Sequence, residues 1–224
     1  MAGDIAVEKH GAVWLVTINR PEKMNSLDFK AHDAMVDVWK DFNGDATARI
    51  GVLTGAGDRA FCAGADLKER NAMDDRQWQA QHLVFERMIR AVIDCPMPVI
   101  AAVNGAAFGG GLELALSCDF IYASRNARFA LSEVRLGIMP GGGGTQTLAR
   151  AVGERRAKEL ILRAMPFDAE TGARWGLVNH VSEPGQVLAD ALVAAREIAG
   201  NAPLSTRQAK KSIHYGLQTD IATA

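Results

Sequence analysis

The sequence predicts an α/β fold in which parallel strands are joined by helices, with a helical C-terminal part. Over the first two-thirds of the 224 residues, short apolar runs bounded by glycine and proline alternate with stretches of helical period. Over the last third the helical patterns follow one another, without a run that reads as a central strand. There is no repeat of fixed period and no low-complexity linker, so the chain reads as one continuous domain.

The elements follow in order. Ile5–Glu8 and Val13–Ile18 read as a β-hairpin hinged at His10-Gly11, and Asn19-Arg20-Pro21 ends its second strand. Ser26 is the expected N-cap of a helix carrying Phe29, Met35, Val36, Val38, Trp39 and Phe42. Ile50–Thr54 is a buried strand, and Arg59–Asp66 lacks a helical period and reads as a loop. A long amphipathic helix over about Asp75–Asp94 is expected to bury Trp78, Leu83, Phe85, Met88, Ile89, Val92 and Ile93. Pro96 and Pro98 end it and lead into the strand Val99–Val103. A glycine turn, a helix through Leu112–Leu116 and strands at Phe120–Ala123 and Arg128–Ala130 come next. Helices are then expected near Thr145–Val152, Glu154–Arg163, Asp168–Trp175, Gly185–Ala199 and Pro203–Leu217.

Composition narrows the function classes. The chain is 48% hydrophobic and 23% charged, ordinary for a globular protein with a sizeable core. Its net charge of −1 offers no general attraction to nucleic acid or to an anionic membrane. Cys62, Cys95 and Cys118 show no paired spacing, and the five histidines are scattered, so neither a disulfide framework nor a metal site is expected. The first residues lack a basic stretch followed by an apolar one, and no window reaches the length of a membrane span. A cytoplasmic protein is the expectation.

The chemistry sits in the glycines. Gly109-Gly110-Gly111 leave the backbone without Cβ atoms, so a ligand can approach the peptide N–H groups closely. They open the Leu112 helix, whose free N-terminal amides and dipole favour an oxyanion. Glu113 lies in the first turn of that helix. Glu133 and the run Gly141–Gly144 behind Pro140 follow. Bare amides beside two acids suit an enzyme that stabilises an enolate and moves protons next to it. A dinucleotide loop would need glycine or alanine at 114, where Leu114 stands, and the run 141–144 lacks the lysine of a nucleotide P-loop.

Three segments in unbroken order carry a resemblance. They are Ala60-Phe61-Cys62-Ala63-Gly64-Ala65-Asp66-Leu67, the stretch from Asn104 through Gly109-Gly110-Gly111 to Ala115, and Ser132-Glu133 through Pro140 to Gly144-Thr145-Gln146. Together they resemble the enoyl-CoA hydratase/isomerase (crotonase) family. Phe61–Arg70 and Gly141–Gly144 are most similar to its enoyl-CoA and methylglutaconyl-CoA hydratases. The resemblance implies a spiral of ββα units with a helical C-terminal part: a core over 1–200, and over 201–224 the start of a helical oligomerisation segment. It implies that the N–H groups of Ala65 and Gly110 polarise an acyl-thioester carbonyl. It also implies that Glu113 and Glu133 flank the Cα–Cβ bond and hold one water; Glu113 is assigned to activate it and Glu133 to serve Cα, with the two roles open to being shared. The amide of Gly141 would orient that water. Coenzyme A, part of the substrate and not a resident cofactor, would lie along Ala63, Gly64, Asp66 and Leu67, near Gly109. Lys23, Arg59 and Lys68 would meet its phosphates.

Partners implied are an acyl-CoA thioester and further copies of the chain, as a homotrimer or hexamer. Family chains usually continue past the position of Ala224, so weakened trimerisation is a further expectation. An isomerase or another crotonase-type lyase is the alternative. RNA binding would need a basic helix, whereas the helix after Ser26 carries Asp28, Asp33, Asp37 and Asp41 against Lys30 and Lys40. A catalytically idle acyl-CoA binder would not need both acids. Arg70, Asn71, Met73, Leu112, Val134 and Leu136 are candidates to line an acyl pocket.

Overall fold

The computed structural model describes residues 3–220. Strands β1 (Ile5–His10) and β2 (Val13–Ile18) form the expected antiparallel hairpin, turning at Gly11 with φ +65°. Helix α1 (Phe29–Gly44) follows. Its N-cap is Asp28 rather than Ser26: the Asp28 carboxylate accepts from the Ala31 N–H at 2.9 Å. A carboxylate three residues before that amide reaches it directly, and Ser26 belongs to the preceding turn.

The next strands come in pairs that part company. In β3 (Ile50–Gly55) with β4 (Ala60–Cys62), β5 (Val99–Val103) with β6 (Ala106–Phe108), and β7 (Phe120–Ser124) with β8 (Arg128–Ala130), the first strand joins a six-stranded sheet and the second a four-stranded one. Helices α2 (Leu67–Asn71) and α3 (Asp75–Ile93) follow the first pair, and α4 (Gly110–Ser117) the second. A 3-10 turn over Glu133–Leu136 and α5 (Gly144–Val152) follow the third. These are successive ββα units. The large sheet runs β1-β2-β3-β5-β7-β10, parallel from β2 onward, and the small one β4-β6-β8-β9. After α5 come α6 (Glu154–Leu162), β9 (Phe167–Asp168), α7 (Ala169–Arg174), β10 (His180–Ser182), α8 (Val187–Ala199) and α9 (Pro203–Gly216).

Alternation along the strands sorts the core into two layers. Trp14, Val16, Leu53, Val99, Ala101 and Val103 face the main core under α1, α3 and α4, while Val13, Leu15, Ile50, Val52, Ile100 and Ala102 face α8 through Val187, Ala191 and Ala195. Helix α3 departs from expectation. Its buried residues are Gln81, Val84, Met88, Ile89 and Val92, whereas Trp78 and Leu83 are exposed at 37% and 60%. The N-terminal turns of α3 leave the core, so Trp78 faces a cavity, whereas Leu83, between buried Gln81 and Val84, lies on the outer face of the helix.

The region expected as a loop at Arg59–Asp66 contains β4, and the glycine turn is preceded by β6; both are three residues long. Strands β9 and β10 lie where only helices were expected. Residues 221–224, the end of the expected oligomerisation segment, lie outside the described residues. No described helix is long and apolar enough to cross a membrane.

Candidate active site

A cavity of about 650 Å³ opens where the ends of the two sheets' units meet. Its floor is made by two backbone segments. One follows β4: the parallel bridge Leu27–Ala65 is closed by Leu27 N–H to Gly64 O (2.8 Å) and Asp66 N–H to Leu27 O (2.9 Å), which leaves the N–H of Ala65 outside it. The other is the start of α4, where Gly110 is the first helical residue and its N–H has no intrahelical acceptor.

The two segments abut. A Cβ on Gly64 would stand 2.9 Å from Phe108 O and 3.4 Å from Gly110 N, and one on Gly111 would stand 2.0 Å from Cys62 O. Such contacts need glycine, which is the physical content of the triple-glycine motif. Gly109, at φ +54°, is the helix N-cap and is pinned by its own N–H to Ala130 O at 2.8 Å.

Glu113 projects from the first turn of α4 into this cavity and is 2% exposed. Its Oε1 accepts two backbone N–H groups, from Gly142 at 2.7 Å and Gly144 at 2.8 Å. The glycine run is therefore a cradle for this carboxylate. A Cβ on Gly144 would lie 2.9 Å from Glu113 Cγ, and one on Gly142 would lie 2.6 Å from the Phe85 ring and 3.0 Å from Glu113 Oε2. Burial pushes the Glu113 carboxyl up to about 7, and the charge of Glu133 adds to that. The two amides and the Arg70 guanidinium pull the other way.

Glu133 opens the 3-10 turn after β8 and also lines the cavity. Its Oε1 lies 3.2 Å from where a Cβ on Gly109 would be, and its Oε2 is buried without a hydrogen-bond partner. Burial raises its pKa, against the pull of its own backbone N–H and of Arg70.

The cavity thus brings together Ala63, Gly64, Ala65, Leu67, Gly109, Gly110, Glu113, Glu133 and Gly141. It does not include Lys23, Arg59, Asp66 or Lys68. The Asp66 carboxylate caps α2, accepting from Lys68 N (3.1 Å) and Glu69 N (3.4 Å), and Lys23 Nζ reaches it at 3.3 Å. Arg59 and Lys68 are exposed, and the backbone carbonyl of Arg59 accepts from Ala106. Of the residues expected around an acyl group, Arg70 and Leu136 line the cavity; Asn71, Met73, Leu112 and Val134 do not.

Sequence reasoning missed one wall. His32, Trp78, His82 and Phe85 line it, and Ile138 and Met139 line the same cavity. Positions 78, 82 and 85 lie at helical spacing on α3, a signal visible in the sequence but indistinguishable there from core packing. It also missed that the amides of Gly142 and Gly144 serve Glu113. The Cys62 thiol is wholly buried, which drives its pKa up to about 12 and leaves it inert. Among the described residues no cluster of three His, Cys, Asp or Glu could hold a metal ion.

Comparison with known proteins agrees with this arrangement. The model of the enoyl-CoA hydratase/isomerase family matches residues 8–224. The chain is 42% identical over 221 residues to a short-chain-enoyl-CoA hydratase of Clostridium acetobutylicum, covering 99% of this chain and 85% of that protein. It is 40% identical over 224 residues to a crotonyl-CoA hydratase of Syntrophomonas wolfei, with coverage of 99% and 85%. A crystal structure of an enoyl-CoA hydratase from Bacillus anthracis superposes with a TM-score of 0.97 at 40% identity, over 99% of this chain and 86% of that one. A family match over nearly every residue, with the same path of the backbone at this level of identity, places the chain in the enoyl-CoA hydratase/isomerase family.

Proposed function

We propose that the chain is an enoyl-CoA hydratase, adding water across the 2,3-double bond of an enoyl-CoA thioester. The observation that carries this reading is the placement of both acids, Glu113 and Glu133, in one cavity beside the amides of Ala65 and Gly110. The relatives' hydratase names support it. In this reading the thioester oxygen lies between the two N–H groups, which are fixed before charge develops on it.

A water between the carboxylates loses a proton to Glu113 as its oxygen bonds to Cβ. The double-bond electrons move into the Cα–C–O system to give the enolate, and Glu133 delivers a proton to Cα. The cradle at Gly142 and Gly144 orients Glu113 for this, and burial, which raises the pKa of Glu133, favours the protonated form from which it donates. Coenzyme A is substrate here, and in this reading its phosphates meet the exposed cations Lys23, Arg59 and Lys68.

Two tests follow from this. Crotonyl-CoA hydration, followed by loss of enoyl absorbance, should fall about 10²–10⁴-fold in kcat in Glu133→Gln while CoA-ester binding stays nearly intact. Wild-type turnover in that variant would remove the mechanism. We also propose assembly as a homotrimer or hexamer. Helix α9 supports it: none of its residues is buried, and Leu204, Ile213 and Tyr215 stand exposed on it. Sedimentation at three or six times the 24.0 kDa monomer mass is expected; a monomer would refute the assembly.

A further inference from the structure

The missed wall of the cavity holds a stack of planar groups that joins α2 to α3. The Arg70 guanidinium lies over the Trp78 ring at 5.4 Å, and Trp78 and His82 are stacked at 5.4 Å with an interplanar angle of 3°. His82 Nε2 is tied to Glu86 Oε1 at 3.2 Å. From Leu67 to Ala80 no residue is buried, so this end of the wall is not anchored by the core. Its other ties include hydrogen bonds of Glu69, from Phe29 N at 3.0 Å and Gln81 Nε2 at 2.8 Å.

The row on α3 also measures distance from the chemistry. Phe85 lies at the reacting end: a Cβ on Gly110 would meet it at 3.2 Å, and one on Gly142 at 2.6 Å. His82 lies one turn further out, against Gly141, where a Cβ would be 2.7 Å from Cε1. Trp78 is a turn beyond that, about 10 Å along the helix from Phe85. Leu136, Ile138 and Met139 line the same cavity and are exposed, so apolar side chains are available to an acyl chain there beside His82.

We propose that Trp78, stacked on His82 and covered by the Arg70 guanidinium, is the end stop of the acyl site and sets the length of acyl chain the enzyme accepts. The inference rests on the hydratase reading above. An acyl chain whose carbonyl sits at Gly110 runs along Phe85 and His82 and abuts the indole. Short and medium chains fit before it; longer ones must displace a ring held by both a cation and a stacked aromatic neighbour. Because the surrounding turns carry no core residues, removing the ring opens the wall without creating a core cavity.

The test compares kcat/KM for crotonyl-CoA, trans-octenoyl-CoA and trans-dodecenoyl-CoA in the wild type, Trp78→Ala, Trp78→Phe and Arg70→Met. The wild type should discriminate against the dodecenoyl ester. Trp78→Ala should raise the dodecenoyl-to-crotonyl ratio about tenfold or more, the scale on which apolar pockets discriminate by size. Trp78→Phe should fall between, and Arg70→Met, which frees one face of the ring, should raise the ratio by less than Trp78→Ala. A wild type equally active on all three esters overturns the inference, as does an unchanged ratio in Trp78→Ala and Trp78→Phe. A wild type that hydrates none of them overturns the hydratase reading, and the end stop with it.

Discussion

At the scale of single residues, the site divides its work between atoms that glycine exposes and atoms that burial alters. Ala65 and Gly110 contribute only main-chain N–H groups, so no side-chain change other than to proline can remove them. Gly110 offers a direct test because it is the first residue of α4, the one helical position that tolerates proline. Gly110→Pro should retain the helix while deleting the donor, lowering kcat about 10²–10³-fold. Gly110→Ala keeps the N–H and presses its methyl on the Phe85 ring, which a Cβ would meet at 3.2 Å. It should lose far less. Equal losses in the two variants, measured on crotonyl-CoA, would show that crowding and not the amide matters. Glu113 shows the other strategy, since its two amide partners come from a glycine run that follows it by about thirty residues.

At the scale of elements, what the sequence revealed followed from periodicity and length. The hairpin, α1, α3, β3, β5 and α4 were legible because each spans enough residues for an apolar pattern to repeat. Strands β4, β6, β9 and β10 were not: two or three residues cannot show alternation, and what makes them strands is the neighbour they pair with. The error at Trp78 and Leu83 has the same origin. Hydrophobic period identified the helix but neither where along its length the core ends, as at Trp78, nor which apolar residue falls on the outer face, as at Leu83 between buried Gln81 and Val84. Of the cavity's residues, the two acids and the glycine segments were legible because their spacing matches a known motif. The aromatic row was not, because a ring facing a cavity and a ring facing a core leave the same trace in sequence. The role of Gly142 and Gly144 was hidden for a related reason: a main-chain donor has no residue type to mark it.

At the scale of the whole molecule, the site and the fold make opposing demands. The two sheets, α4 and the glycine run together bury Glu113, and that burial lifts its pKa from 4.5 to about 7. A carboxyl whose pKa is higher folded than unfolded holds its proton more tightly in the native state. Its contribution to stability is therefore complete below pH 4.5 and is lost as pH rises to about 7, where the native state must carry a buried charge. The shift corresponds to at most about 3 kcal/mol, shared with Glu133 because the two carboxyls titrate as a coupled pair. Glu113→Gln removes the charge while its amide oxygen still accepts from Gly142 and Gly144. Its thermal midpoint should exceed that of the wild type by several degrees near about pH 8, and the gap should narrow steadily as the pH is lowered towards about 4.5. The same variant should be deficient in hydration. A gap that does not change with pH would mean that Glu113 is not the group whose burial is at stake. A variant less stable than the wild type near about pH 8 would mean that the two amides stabilise the carboxylate more than burial penalises it.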